Sequence, residues 1–161
     1  MLSSSAPMGP QRKEVEMRFL LPVLSLVLLS GWSDAYAGKK KSNLPVSKEA
    51  SLFEVYSSSE WTIKATGIGK KNKDAEADAR KAALYFVLFG GTDPILRTEE
   101  DRRKFEPIQE QMFEPSNVAK YISWEARGYL DRRRTSDKKV KLTKLIRINV
   151  EMLKEDLAAK G

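Results

Sequence analysis

The chain contains no cysteine and no histidine. Without cysteine there is no disulfide framework, no thiolate nucleophile and no cysteine-based zinc or iron–sulfur site. Without histidine, the commonest general base and the commonest transition-metal ligand are gone too. A Ser-His-Asp triad, an HExxH metal site and a zinc finger are therefore excluded. Long apolar runs are also missing. The longest, Phe19 to Leu29, has 11 residues, whereas a helix needs about 20 to cross a bilayer. Charge, by contrast, is plentiful: 29 Lys and Arg face 22 Asp and Glu, for a net charge of +7 over 161 residues. A chain of this length makes one domain with a leader to spare.

The short apolar run has a recognisable setting. Arg18 stands directly before it, and Ser30 to Asp34 lead from it to Ala35-Tyr36-Ala37. A positive residue, a short apolar stretch and an A-x-A site make a secretory signal peptide over residues 1–37. Counting from Met17 gives the most compact leader. The expected location is the periplasm or outside the cell, after cleavage near Ala37. Export without cysteine suits a periplasm, where disulfides are permitted but not required. Lys39-Lys40-Lys41 just past the cut leaves an uncleaved membrane anchor as the alternative.

Residues 38–58 read as a flexible basic linker, with Pro45 and scattered serines and little periodicity. Residues 59–161 read as a single α+β domain. Its first strand is Trp61 to Gly67, where Trp61, Ile63 and Ala65 alternate with Thr62, Lys64 and Thr66. Gly67 to Lys73 is the exit turn. A helix follows from Asp74, its cap, to Phe89, with Ala75, Ala79, Ala82, Ala83 and Phe86 at helical spacing and Gly90-Gly91 as the stop. The alanine stripe implies close approach to a sheet. A polar helix opens at Thr98 and is cut or kinked by Pro107.

The last third reads as a long hairpin. Residues 121–131 put Ile122, Trp124, Ala126, Gly128 and Leu130 inward, and Tyr121, Ser123, Glu125, Arg127 and Tyr129 outward. Residues 140–150 put Val140, Leu142, Ile146, Ile148 and Val150 inward, interrupted by Lys144. A short helix over 151–160 closes the chain. The order β-α-(α)-β-β-α predicts a two-layer sandwich of about three antiparallel strands and a packed Ala-rich helix.

The motifs carry little catalytic chemistry. Gly67-Ile68-Gly69 after a strand resembles the start of a dinucleotide fingerprint, but position 72 is Asn where the third glycine belongs. Glu106, Glu110 and Glu114 read as a solvated acidic face. No catalytic, cofactor-binding or metal-ligating residue is assigned, and the chain is read as a non-enzyme without a cofactor. The distinctive feature is the hairpin, whose candidate interaction surface is Arg132, Arg133, Arg134, Lys138, Lys139, Lys141 and Arg147 with Tyr129. Basic residues with interleaved aromatics bind polyanions. The plainer alternative is a hairpin whose charges only block aggregation. An exported protein meets anionic lipid, lipopolysaccharide or envelope protein partners before it meets nucleic acid.

Trp61 to Gly69, Ala75, Ala79, Ala82-Ala83-Leu84 and Gly90-Gly91, closed by Ile146 to Val150 and Met152-Leu153, form a broader pattern. It resembles the N-terminal domain of the flagellar assembly protein T family and related small bacterial outer-membrane lipoproteins. The likeness spans about residues 60–160. It implies an α+β fold and a non-enzymatic envelope module that packs against other proteins. It maps no functional residue onto this chain, which lacks the lipoproteins' lipid-accepting cysteine. The expected function is accordingly a structural or protein-interaction role at the envelope, with polyanion binding through residues 132–147 as the alternative.

Overall fold

A computed structural model of the protein describes residues 42–160, so the expected leader and its cut site lie outside the described residues. Within the unit Ser42–Gly161 the described chain runs β1 (Ala50–Val55), β2 (Glu60–Gly69), α1 (Asn72–Phe89), α2 (Glu99–Met112), α3 (Pro115–Lys120), β3 (Ile122–Glu125), β4 (Asp131–Arg134), β5 (Val140–Asn149) and α4 (Val150–Lys160). The fold is α+β, as the residue pattern predicts. The sheet has five strands rather than about three, in the order β1-β2-β5-β3 with β4 also on β5. All pairings are antiparallel.

The centre of the sheet is the β2–β5 ladder, ten residues long from Glu60↔Asn149 to Gly69↔Val140. Period-2 alternation sends Ile63 and Ala65 of β2 and Leu142, Ile146 and Ile148 of β5 to one buried face. Against it lie Ala75, Ala79, Ala82, Ala83, Leu84, Val87 and Leu88 of α1. The close approach expected from the alanines is real, and glycines on the sheet side make it possible. A Cβ on Gly67 would stand 1.9 Å from the Ala75 carbonyl oxygen, and one on Gly69 would stand 2.4 Å from the Ala75 nitrogen. β2 therefore extends through Gly69, and the turn is confined to Lys70-Lys71. The cap also differs from expectation. Lys71 is the N-cap of α1, while Asp74 sits three residues in and accepts the Lys71 N–H at 3.2 Å. α2 starts on a reciprocal Thr98–Asp101 capping box and runs unbroken through Pro107.

Three readings need correction. Part of the expected linker is strand β1, paired to β2 from Ala50↔Ala65 to Val55↔Trp61 with a bulge at Phe53. Its side chains are mostly exposed, so no hydrophobic alternation marks it in the sequence. The expected strand over 121–131 is broken in two, with β3 on residues 146–148 of β5 and β4 on residues 140–143. The Ala126 N–H still reaches Leu145 O at 3.0 Å and the Leu130 N–H reaches Thr143 O at 2.8 Å. The three residues between them loop out opposite Lys144. Finally, a bulge between Ile122 and Trp124 shifts the register by one. A one-residue slip exchanges the faces of a strand. Trp124, expected inward, is consequently 44% exposed. Tyr121, expected outward, lies before the strand as the C-cap of α3 and is buried. The Tyr121 hydroxyl donates to Asp156 of α4 at 2.7 Å, and burial together with that carboxylate pushes its pKa far up.

A buried carboxylate ties the N-terminal segment to this frame. Asp78 of α1 accepts the N–H groups of Val46 (2.6 Å), Ser47 (3.0 Å) and Ile68 (2.9 Å). Glu110 of α2 makes a similar tie at the surface, accepting the Ser42 hydroxyl and the Asn43 N–H, both at 2.7 Å.

Candidate functional site

The β2–β5 register decides which charges meet. Because Gly69 lies opposite Val140, Lys70 and Lys71 leave the sheet beside Lys139. On the other side of β5, β4 places Arg132 opposite Leu142, Arg133 opposite Lys141 and Arg134 opposite Val140. One end of the sheet thus gathers Lys70, Lys71, Lys73, Arg132, Arg133, Arg134, Lys138, Lys139 and Lys141 from three separate segments. The 132–134 and 138–139 groups are all exposed, and so are Lys70 and Lys71 of the β2–α1 turn and Lys73 of α1.

Few carboxylates compensate this charge. Arg133 lies 3.9 Å from Asp131, Lys139 lies 2.5 Å from Asp137 and Lys141 lies 2.7 Å from Glu49. Among the described residues, Lys70, Lys71, Lys73, Arg132, Arg134 and Lys138 are in no ion pair. Arg132 instead donates from Nε (3.2 Å) and Nη2 (3.1 Å) to the Asn72 side-chain oxygen at the start of α1. That bond fastens β4 to the helix that carries Lys73.

The tip is ordered by its own backbone. The Thr135 N–H donates to Lys139 O at 2.9 Å and the Lys138 N–H to Thr135 O at 3.0 Å. Lys138 takes a positive φ of 61° to close the turn. The Lys139 ammonium and the Thr135 hydroxyl hydrogen-bond to the Asp137 carboxylate and lower its pKa to about 2. A closed turn has little backbone freedom left to lose on binding.

Six of the eight residues singled out by sequence come together here: Arg132, Arg133, Arg134, Lys138, Lys139 and Lys141. Tyr129 borders them, close enough to Arg132 for that charge to act on its phenol, and Arg147 does not. Arg147 lies seven residues along β5 from Val140, about 23 Å away at strand rise. Its guanidinium stacks 3.3 Å from the Tyr56 ring centre and 5.3 Å from that of Trp124. It also donates to the Thr62 hydroxyl at 3.2 Å and lies 3.6 Å from Glu54. Tyr129 is engaged with α1, its hydroxyl donating to Glu76, which raises its pKa. Lys70, Lys71 and Lys73 are the members that sequence reasoning missed, for they read as turn filler until the register is known.

A second cluster explains Lys144 on an inward face. Lys144 is only 6% exposed and pairs with Glu125, which Arg80 of α1 also holds at 2.8 Å. Burial raises the Glu125 pKa, but the hydrogen bonds from Arg80 and Lys144 outweigh it, and the net shift is downward. A carboxylate locked between two cations stays ionised near neutrality and is a poor proton donor. A cavity of about 280 Å³ opens beside it, lined by Ala77, Arg80, Val118, Ala119, Ile122 and Glu125. Among the described residues no group of acidic side chains is arranged to hold a metal ion, and no helix is long and apolar enough to cross a membrane. Comparison with protein-family models, curated proteins and solved structures finds no match.

Proposed function

We propose that this protein is an exported, non-enzymatic envelope module that works by contact, and that its working surface is the basic end, where it binds a phosphate-bearing polyanion. The observation that carries the reading is the convergence of nine cations from residues 70–73, 132–134 and 138–141 on one end of the sheet, six of them in no ion pair. Charges clustered in this way sum to a potential of several kT and draw anions from solution. The leader-like segment and the resemblance to flagellar envelope modules support the setting.

The test is binding of inorganic polyphosphate across a salt titration. Neutralised phosphates release counterions, so affinity should fall steeply as salt rises. R132Q/R133Q/R134Q and K70Q/K71Q/K73Q should each weaken binding at least tenfold while leaving the circular dichroism unchanged. Salt-independent binding, or a K70Q/K71Q/K73Q variant that binds like the wild type, refutes the reading.

A second reading, contact with a protein partner, is favoured by edge strand β1. Leu52, Phe53 and Val55 are exposed there, and β1 pairs with β2 alone. An extended segment of a partner can add to such an edge. Phe53→Lys should abolish cross-linking to that partner and leave polyphosphate binding intact.

A further inference from the structure

We propose that the anionic partner is the headgroup layer of a lipid membrane, met by the β4 edge with Leu130 as an apolar anchor. This rests on the polyanion reading and goes further by naming the surface. Arg132 and Arg134 share one face of β4, opposite Leu142 and Val140, while Arg133 falls on the other face, opposite Lys141. The cations therefore straddle a sheet edge instead of lining one face of it. A single linear polymer lying along one face meets Arg132 and Arg134 or Arg133 and Lys141, not both sets. A planar layer of independent headgroups can supply a phosphate on either side of the edge to every arginine at once.

The second observation is the continuity of this edge. Residues 127–139 are exposed throughout except for half-buried Thr135. The run holds Arg127, Arg132, Arg133, Arg134, Lys138 and Lys139 against Asp131 and Asp137. Within it Leu130 is 56% exposed, although its N–H is fixed to Thr143 O at 2.8 Å. An aliphatic side chain held open on a rigid backbone beside four arginines fits the boundary between headgroups and acyl chains, where apolar burial and attraction to anionic lipid add. A nucleic acid offers that leucine no such medium.

The experiment compares the full chain on phosphatidylcholine vesicles with and without phosphatidylglycerol, by co-sedimentation. Whatever residues 1–41 contribute is common to wild type and variants, so differences report the edge. The wild type should partition more strongly when phosphatidylglycerol is added, and R132Q/R133Q/R134Q should lose that gain. The loss should be roughly fivefold per charge removed, about a hundredfold together. Leu130→Ser separates the two levels of the argument: it should weaken vesicle binding about tenfold and leave polyphosphate binding unchanged. If vesicle binding ignores phosphatidylglycerol or ignores Leu130→Ser, or if duplex DNA is bound more tightly than the anionic vesicles at equal salt, the membrane proposal is overturned. The polyanion reading survives those results as long as polyphosphate still binds, and it falls with the membrane proposal if nothing anionic binds.

Discussion

Gly67→Ala is the sharpest test of how this fold is built. The added Cβ would lie 1.9 Å from Ala75 O, 2.4 Å from Ala79 N and 2.9 Å from Ala79 Cα. All three are backbone atoms of α1, so no rotamer change relieves the clash. Carbon and oxygen need roughly 3.4 Å, and α1 must therefore back away from β2 by about 1.5 Å at this point. That retreat opens the contact of Ala75, Ala79 and Ala82 with the sheet and pulls Asp78 from the Ile68 N–H it accepts at 2.9 Å. Overpacking by a methyl costs about 1–3 kcal/mol when side chains can adjust. With rigid backbone opposite and a buried hydrogen bond strained, about 4 kcal/mol is expected, against a total of about 5–15 kcal/mol for a domain. Urea unfolding followed by circular dichroism should show the midpoint fall at little change in slope. Thermal unfolding should drop by more than about 10 °C. Gly128→Ala is the control, since nothing lies within 4 Å of its Cβ, and it should move stability by less than about 0.5 kcal/mol. If Gly67→Ala proves as mild as Gly128→Ala, the helix is not seated on the glycine and the packing argument is wrong.

Asp78→Ala orphans the N–H groups of Val46, Ser47 and Ile68; it should cost about 2–4 kcal/mol and give fast hydrogen exchange at those three amides, readable by NMR. Glu125, whose pKa is lowered on folding, takes up a proton more readily in the unfolded chain. Its contribution is therefore complete above the ordinary glutamate value of about 4.3 and is lost as pH falls through the lower folded value. Glu125→Gln should be less stable at pH 7, because buried Lys144 loses its carboxylate, yet show a shallower acid-unfolding limb than the wild type. The Tyr121 phenol should stay protonated well above 10.0, the ordinary value, so an absorbance titration of native protein should leave at least one tyrosine un-ionised until the chain unfolds. Tyr121→Phe should restore a titration without that missing step and cost about 1 kcal/mol for the Asp156 bond.

Much of this fold is legible in the residue order. The faces of β2 and β5 follow from strict alternation, and α1 follows from alanines at helical spacing ended by Gly90, whose N–H bonds to Phe86 O at 2.8 Å. Lys144 is the one break in the β5 pattern, and the structure accounts for it with the Glu125 and Arg80 partners. Other elements leave no such trace. Strand β1 buries almost nothing and so carries no hydrophobic alternation. The bulge before Trp124 inserts one residue into an otherwise regular run, and periodicity cannot announce its own slip. Arg147 and Tyr129 look like members of a basic, aromatic-flanked strand. The first is instead stacked between Tyr56 and Trp124, while the second stays beside Arg132 with its hydroxyl on Glu76 of α1.

The candidate surface divides along the same line. The absence of cysteine and histidine excludes whole classes of chemistry by composition alone, because no fold can supply a missing functional group. The basic hairpin is likewise visible in the sequence, because Arg132 to Lys139 are neighbours along the chain. That Lys70, Lys71 and Lys73 join them, and that Arg147 does not, was decided by the tertiary structure. Electrostatic potential adds over distance in space. Here that distance was set by the register pairing Gly69 with Val140 across some seventy residues of chain.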